Sequence, residues 1–322
     1  MLNKKSYKIC VVGLGNWGVN HAKTLFRLGH LGGIVDNDST RIDHYPIFKE
    51  LPFFNSIDDA LDHGFDGFVV ATPPATHFKL AKKIIENRNH LLVEKPLTLN
   101  AKDALELNEL AKSFKVNLMV GHVLLFHPAF MKISETIESG RLGDIQYIYS
   151  NRTNLGVVRT HENVFWSLAP HDISLFQYFI KDEPKYINSS GKDVFNNSVH
   201  DTTITTIEYK NGVMGHIFVS WLHPFKEHRF VVIGSKGMIR FEDSVEGKPL
   251  IFYDKSIKWN EDVPIPISGA SEYVEYEHSL PLDNELEYFI DHLDGTRLGK
   301  ACGNSAVGVI KILELATDSL KN

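Results

Sequence analysis

Short apolar runs alternate with segments of helical periodicity along the N-terminal part of the chain. Between the runs, apolar residues recur every three or four positions, as on the buried face of an amphipathic helix. Strands that alternate with helices predict a parallel sheet with right-handed crossovers, and so a doubly wound α/β domain. The predicted strands are Tyr7–Val12, Gly32–Val35, Gly67–Ala71, His90–Val93 and Asn117–Val120, and the predicted helices are Asn16–Leu28, Thr76–Asn87 and Asn100–Phe114.

The pattern changes after Gly121. From Tyr186 to Tyr253 apolar and polar residues alternate with a period of two, and Asn211-Gly212 is a turn signal, so this part predicts an antiparallel sheet built from hairpins. We therefore expect an α/β protein of two domains: residues 1–122 with a parallel sheet, and residues 123–322 with helices and a large, mostly antiparallel open sheet. Further predicted elements are a strand at Ile145–Asn151 and helices at Pro128–Ser139, Pro170–Ile180, Leu286–Leu293 and Ser305–Leu315.

Composition and charge narrow the class of protein. The 322 residues are 43% hydrophobic and 23% charged, as in ordinary globular proteins. With 34 basic and 40 acidic residues the net charge is −6, which disfavours a nucleic-acid partner held through phosphate contacts. No apolar run approaches the roughly 20 residues of a membrane span, and the run Ile9–Val12 meets Gly13 too early for a signal peptide. We therefore expect a cytoplasmic protein with no nucleic-acid or membrane partner.

The cysteines and histidines disfavour a metal centre. Cys10 and Cys302 lie near opposite ends of the chain, so they predict neither a disulfide framework nor a thiolate zinc site. His122 and His127 are not spaced to share one helix face, and no HExxH or CxxC motif accompanies them. We expect no bound metal.

A glycine-rich segment, Gly13-Leu14-Gly15-Asn16-Trp17-Gly18, follows the first predicted strand and opens the first predicted helix. In that context it favours a dinucleotide-binding loop over an ordinary structural turn, because the pyrophosphate needs close backbone approach and a helix N-terminus. Asp36 ends the second strand, where a carboxylate accepts hydrogen bonds from a ribose diol and repels a 2′-phosphate. NAD is therefore favoured over NADP, although Arg41 would pair with a phosphate if Asp36 turned away. The predicted cofactor-binding residues here are Gly13, Gly15, Asn16, Trp17, Gly18, Asp36, Asn37 and Arg41.

The segment Glu94-Lys95-Pro96 ends another strand at the same carboxyl edge of the predicted sheet, where ligands of open α/β sheets bind. Proline favours an extended conformation for Lys95, which aims its side chain. A lysine that ends a buried strand is costly unless it has a use. Residue type alone leaves two interpretations open: a chemical role for Lys95, or a structural pair with Glu94.

Together these motifs resemble the Gfo/Idh/MocA family of sugar and polyol dehydrogenases. The resemblance rests on the glycine loop, on Val70-Ala71-Thr72-Pro73-Pro74 followed by His77, on Glu94-Lys95-Pro96 and on the Gly140–Ile145 and Gly234–Gly237 segments. It implies a Rossmann domain, nicotinamide-dependent chemistry at a sugar hydroxyl, and a homodimer or homotetramer formed through the second domain's sheet. It also implies that Lys95 is catalytic and that Thr72, Pro73, Pro74, His77, Glu94 and Lys95 lie at the cofactor.

The family's second catalytic element is a histidine on a helix of the second domain, commonly preceded four residues earlier by aspartate. His171 matches this histidine, and Ser167 stands where the aspartate is expected. The resemblance implies that His171, oriented by Asp172 or Ser167, exchanges the hydroxyl proton alone or with Lys95. From the residues alone, a histidine just after a proline at a helix start has a structural interpretation as well.

Substrate contacts are expected from the second domain. The arginines there suit a phosphate or carboxylate, or else form surface ion pairs. The stretch from Asn154 to Asp172 resembles members of nucleotide-sugar and surface-polysaccharide pathways more than inositol dehydrogenases. We predict hydride transfer at a ring position such as C3 of a nucleotide-linked sugar such as a UDP-N-acetyl-hexosamine; the alternatives are an inositol-like polyol or free-sugar dehydrogenase and a non-catalytic dinucleotide-binding regulator. The predicted substrate-binding residues are Lys95, Arg152, Asn154, Arg159, Trp166, Ser167, His171 and Asp172.

Overall fold

The computed structural model describes residues 7–195 and 199–321, and these divide into two compact units. The first unit contains the residues up to Phe126 together with Leu280–Lys311, and the second contains His127–Ser279 and the residues from Ile312 onward. The sequence prediction assigned everything after residue 122 to the second domain, so the return of Leu280–Lys311 to the first unit is a difference. Its physical basis is packing: a Cβ on Gly67 would lie only 2.8 Å from a methyl group of Leu293.

Helix ends follow local signals in the sequence. The bounds predicted for α1 (Asn16–Leu28) and α7 (Pro170–Ile180) agree with the structure, and Asn100 caps α4 (Ala101–Phe114) by accepting a hydrogen bond from the Asp103 amide. Gly29 ends α1 in the left-handed conformation. The α-helices are α1 (Asn16–Leu28), α2 (Ile57–Leu61), α3 (Pro74–Glu86), α4 (Ala101–Phe114), α5 (Pro128–Glu138), α6 (Val164–Leu168), α7 (Pro170–Ile180), α8 (Pro281–Asp291) and α9 (Gly303–Ser319).

The sheet of the first unit is parallel throughout its described residues, with the strand order β3-β2-β1-β4-β5-β6. This order reverses direction at β1, and the carboxyl ends of β1 and β4 flank the point where a doubly wound sheet binds its ligand. The doubly wound prediction is confirmed. The strands are β1 (Ile9–Val12), β2 (Leu31–Val35), β3 (Phe53–Phe54), β4 (Gly67–Val70), β5 (His90–Glu94) and β6 (Leu118–Gly121).

The second unit contains a larger sheet, which has the order β14-β13-β12-β11-β7-β10-β9-β8 in the described part of the chain. Only the β7–β10 pair is parallel among these described neighbours, so the prediction of a mostly antiparallel sheet is confirmed. The strands are β7 (Ile145–Thr153), β8 (Pro184–Lys192), β9 (Thr202–Tyr209), β10 (Met214–Ser220), β11 (Glu227–Gly234), β12 (Met238–Glu242), β13 (Leu250–Asn260) and β14 (Val263–Tyr273).

The two faces of this sheet differ. Helix α7 packs on one face, where a Cβ on Gly215 would lie 2.7 Å from the Phe176 ring. On the other face the rings of Tyr149 and His216 stack with centroids 5.0 Å apart, and the Tyr147 hydroxyl is hydrogen-bonded to His216. Across residues 7–195 and 199–321, no helix combines the length and the apolar character that crossing a membrane requires.

Candidate active site

The glycine loop is shaped by two close approaches and one open position. Gly13 has a φ of 95°, and a Cβ there would lie 2.8 Å from a methyl carbon of Thr72. A Cβ on Gly18 would lie 1.8 Å from the Gly13 carbonyl oxygen, so the fold itself requires both glycines. At Gly15, by contrast, the nearest atom to an added Cβ is an Arg41 nitrogen at 3.9 Å. The open position is the one where a pyrophosphate needs backbone access.

The N-terminus of α1 is equipped for an anion. Gly15 is the N-cap residue and provides no side-chain cap, so the first amides of the helix keep their hydrogen-bonding capacity. Asn16 and Trp17 are exposed on this first turn, with Trp17 46% accessible. These features fit a dinucleotide, and Gly15, Asn16 and Trp17 are the residues that would surround its phosphates.

Asp36 holds the glycine loop in place from the end of β2. Its buried carboxylate accepts a 2.6 Å hydrogen bond from the Leu14 amide and a 3.0 Å bond from the Asp38 amide. Arg41 faces the two aspartates, with its Nε 3.7 Å from Asp36 and 3.6 Å from Asp38. Asp36 has therefore not turned away, which favours a ribose diol over a 2′-phosphate; Asn37 beside it is exposed.

The side chain of His77 lies between the loop of Thr72 and the loop of Pro96. Its ring is completely buried, with Nδ1 2.9 Å from the Pro96 carbonyl oxygen and Nε2 2.8 Å from the Thr72 carbonyl oxygen. Burial lowers the pKa of His77, although the two carbonyls act in the opposite direction. His77 thus lies beneath the predicted cofactor surface, where it fixes the Thr72-Pro73-Pro74 loop relative to the residue that follows Lys95.

Glu94 is a buried carboxylate that anchors the Lys95 backbone. His21 Nε2 lies 2.7 Å from one oxygen of Glu94, and the Lys95 amide donates a 3.1 Å hydrogen bond to the other. Burial opposes its ionisation, but the His21 hydrogen bond and the Lys95 charge outweigh burial and hold the pKa of Glu94 below its ordinary value. Lys95 itself is half-buried. Glu94 therefore supports the loop from within the protein.

Sequence reasoning missed three further ionisable residues of the first unit. Burial lowers the pKa of His122 to about 4, with Glu94 and Lys95 contributing opposite charges. Glu285 on α8 is completely buried, and within the described residues neither of its oxygens has a hydrogen-bond partner. Burial and the Glu94 charge raise the pKa of Glu285 well above its ordinary value, whereas burial lowers that of Lys300 to about 8. No local sequence motif indicates these three residues, because they are brought close to Glu94 or to one another only by the tertiary fold.

In the second unit, His171 lies in the first turn of α7. It is half-buried, and its carbonyl oxygen accepts a 2.6 Å hydrogen bond from the Ser174 hydroxyl. Ser167 lies in the short helix α6 just before it. Trp166 in the same helix is anchored by a 2.8 Å hydrogen bond from its indole nitrogen to the Thr317 hydroxyl. The hydrogen bonds of Trp166 and Ser174 thus hold the α6–α7 segment in place within the second unit.

The structure gives Arg152 and Asp172 a role different from the predicted substrate contact. Arg152 donates to both oxygens of the fully buried Asp172 at 2.9 and 3.0 Å. At an exposed site, Arg159 Nε lies 3.1 Å from a carboxylate oxygen of Glu162. Asn154 is also exposed, and its backbone amide donates a hydrogen bond to the Ser220 carbonyl oxygen. Both predicted phosphate-binding arginines are therefore engaged in ion pairs within the second unit.

Comparisons with known proteins agree with this architecture. A family model described as oxidoreductase family, NAD-binding Rossmann fold (Gfo/Idh/MocA) matches residues 7–122, and a Gfo/Idh/MocA C-terminal domain model matches residues 130–240. The chain is 26% identical over 248 residues to scyllo-inositol 2-dehydrogenase (NAD(+)) of Bacillus subtilis, covering 72% of each chain. It is also 26% identical over 211 residues to UDP-N-acetylglucosamine 3-dehydrogenase of Acidithiobacillus ferrooxidans, covering 65% of this chain and 66% of that one.

Solved structures share the whole fold. The structure of the Acidithiobacillus ferrooxidans UDP-N-acetylglucosamine 3-dehydrogenase superposes with a TM-score of 0.85 at 21% identity, covering 98% of this chain and 97% of that one. The WlbA dehydrogenase from Bordetella pertussis, solved with NADH and UDP-GlcNAcA, superposes with a TM-score of 0.79 at 18% identity over 98% and 97% of the two chains. At these identities the structural likeness establishes the fold.

Proposed function

Because this chain belongs to the Gfo/Idh/MocA oxidoreductase family, we propose that it is an NAD-dependent dehydrogenase that moves a hydride between the cofactor and a ring carbon of a nucleotide-linked sugar. In its most specific form the proposal is reaction at C3 of a UDP-N-acetyl-hexosamine. The observation that carries the redox assignment is the continuity of the loops at one sheet edge: Asp36 holds the glycine loop, and His77 links the Thr72 loop to the segment of Lys95.

The cofactor residues divide the work of binding. The first amides of α1 and the open backbone at Gly15 bind the pyrophosphate, and Asp36 binds the adenosine ribose. When bound, NAD supplies the hydride acceptor. Arg41 stays with Asp36 and Asp38, which supports NAD over NADP.

Lys95 and His171 are the proposed catalytic residues. A cationic Lys95 stabilises the negative charge that develops on the substrate oxygen, and His171 accepts the hydroxyl proton as the hydride leaves. In the opposite direction the same groups deliver a proton to a ketone oxygen. Ser167 stands four residues before His171, at the position where aspartate is common in the family, so the chain brings a hydroxyl there in place of a carboxylate.

Two substrate classes compete. The nucleotide sugar is supported by the sequence from Asn154 to Asp172 and by the 26% identity to the Acidithiobacillus UDP-N-acetylglucosamine 3-dehydrogenase. An inositol is supported by the Bacillus enzyme, which has the same 26% identity over a larger share of this chain, 72% against 65%. Because the stretch from Asn154 to Asp172 resembles members of nucleotide-sugar pathways more than inositol dehydrogenases, we favour the nucleotide sugar.

A substrate screen tests the proposal. Purified protein with NAD is offered UDP-N-acetylglucosamine, UDP-N-acetylglucosaminuronate, scyllo-inositol and myo-inositol, and formation of the reduced nicotinamide is followed by absorbance. We expect turnover with a UDP-sugar, and loss of turnover but not of NADH binding in Lys95→Met and His171→Gln. Faster turnover of an inositol would reassign the substrate. NADH binding without turnover of any sugar would favour the regulator.

We also propose that the chain forms a homo-oligomer through the open face of its larger sheet. That face carries Tyr147, Tyr149 and His216 side by side, and an aromatic cluster of this kind is typical of interfaces. Light scattering on wild type and Tyr149→Glu tests this. A charge at the centre of an interface is expected to yield monomers, whereas an unchanged mass would exclude this face.

A further inference from the structure

The residue after His171 fastens α7 to the middle of the larger sheet. The carboxylate of Asp172 is completely buried and accepts three hydrogen bonds from β7: 2.6 Å from the Ser150 hydroxyl, 2.9 Å from Arg152 Nε and 3.0 Å from an Arg152 terminal nitrogen. The two Arg152 bonds are the parallel, bidentate kind that fixes both partners. The first turn of α7, which contains His171, is therefore tied to a strand that has neighbours on both sides.

The Arg152 guanidinium keeps its charge although it lies inside the protein. The Arg152 side chain is only 14% exposed, and although burial opposes its charge, Asp172 raises the pKa of the guanidinium. His228 lies opposite Arg152 on β11, and Asp243, just after β12, adds a further negative charge that acts on Arg152. Lys248 in turn lies 2.7 Å from Asp243. Each charged group of this cluster thus interacts with one of opposite sign: Asp172 with Arg152, Arg152 with Asp243, and Asp243 with Lys248.

We propose that Asp172 and Arg152 form a positioning pair for His171: they fix the start of α7, and their opposite charges balance each other at the imidazole. The inference rests on the proposed function, because it takes His171 as the proton-transferring group. Ser167, four residues earlier in the preceding helix α6, carries no charge that could serve this purpose. A purely structural clamp would hold the helix equally well but would not control the protonation of His171.

Charge balance makes opposite predictions for the two partners. In Asp172→Asn the Arg152 charge is uncompensated, which disfavours the imidazolium and lowers the pKa of His171 relative to wild type. In Arg152→Met the Asp172 charge is uncompensated, which raises that pKa. The double variant loses both charges, so the pKa of His171 is expected to return close to its wild-type value, whereas the clamp on the start of α7 is lost and kcat is expected to fall. Ser150→Ala is the matched control, because it removes a hydrogen bond to the same carboxylate without removing a charge.

The experiment is an NMR titration of the histidine ring C–H signals in the full chain. The His171 signal is assigned by its absence from His171→Gln. We expect shifts of opposite sign in the two single variants, each roughly half a pH unit or more, and no shift in Ser150→Ala. Shifts of the same sign, or none in folded variants, would overturn the pairing.

Activity separates this inference from the proposed function. With UDP-N-acetylglucosamine and NAD, an active His171→Gln would refute the catalytic role of His171, whatever the titration shows. If both single variants fail to fold, the double variant decides: the pair positions His171 if kcat falls at least tenfold there while the NADH dissociation constant and the Ser150→Ala rate stay unchanged. An unchanged kcat in the double variant would sink the inference.

Discussion

His77 offers the sharpest test of how the first unit holds its loops. The ring spans the Thr72 and Pro96 carbonyl oxygens at 2.8 and 2.9 Å and is completely buried. In His77→Ala the ring is replaced by a cavity, and a carbonyl that accepted its hydrogen bond is left without a donor. A neutral imidazole donates from one nitrogen only, so His77→Ala removes one hydrogen bond together with the packing of the ring between the two loops.

The size of the effect follows from these two changes. Removing a buried side chain of this size costs about 2–4 kcal/mol, and leaving a buried carbonyl unsatisfied costs about 1–3 kcal/mol. Because the site relaxes in part, we expect the free energy of unfolding to fall by about 3–5 kcal/mol. We also expect kcat to fall about tenfold or more, since Lys95 precedes the residue that His77 holds and catalysis depends on its placement.

Urea unfolding followed by tryptophan fluorescence measures the stability term, and a NADH titration confirms that the variant is folded. His63→Ala is the matched control, because His63 is exposed and its Nδ1 lies 2.9 Å from a single carbonyl, that of Asp59. There we expect a loss of about 1 kcal/mol or less. Equal losses in the two variants would refute the view that His77 ties the loops together.

Three further outcomes follow from the same unit. Gly15→Ala is expected to fold normally and to raise the NADH dissociation constant about tenfold or more by calorimetry, whereas Gly18→Ala should not fold, because its Cβ would meet the Gly13 oxygen at 1.8 Å. Asp36→Asn is expected to reduce the preference for NAD over NADP about tenfold in competition titrations, and an unchanged preference would contradict its role. Burial raises the pKa of Glu285, so the stability that its protonated form contributes is fully present below the ordinary pKa of 4.5 and is lost as the pH rises through the raised pKa. The unfolding midpoint of Glu285→Gln should therefore exceed that of wild type by an amount that grows with pH. A difference that stays constant with pH would contradict the raised pKa.

Local signals made much of the first unit predictable. Gly29 ends α1, and the spacing from the glycine loop to Asp36 predicts the nucleotide site without any knowledge of tertiary contacts. Between Asp36 and Gly67, by contrast, β3 has two residues and α2 has five, too few for a period to show. Such short elements depend on their surroundings, as where the Ser56 hydroxyl caps α2.

Contacts between distant residues were beyond the sequence. Arg152 and Asp172 belong to different elements, and nothing in either local pattern indicates that they bind each other rather than a substrate. Glu285 occupies the buried face of an amphipathic helix, where the pattern predicts an apolar residue. The sequence pattern also does not predict that α8 belongs to the first unit, because the apolar face of a helix has the same periodicity whichever unit it packs against.

Because Leu280–Lys311 belongs to the first unit, the two units of this protein cannot complete their folding in the order in which they are synthesised. The Val120 amide at the end strand of the first sheet donates a 2.8 Å hydrogen bond to the Ala301 carbonyl, and the Asn117 side chain donates to the carbonyls of His292 and Thr296. A nascent chain that has left the ribosome only as far as Phe126 lacks these partners. The nucleotide-binding half therefore reaches its final form only after most of the second unit has been synthesised, so the half made first is completed among the last.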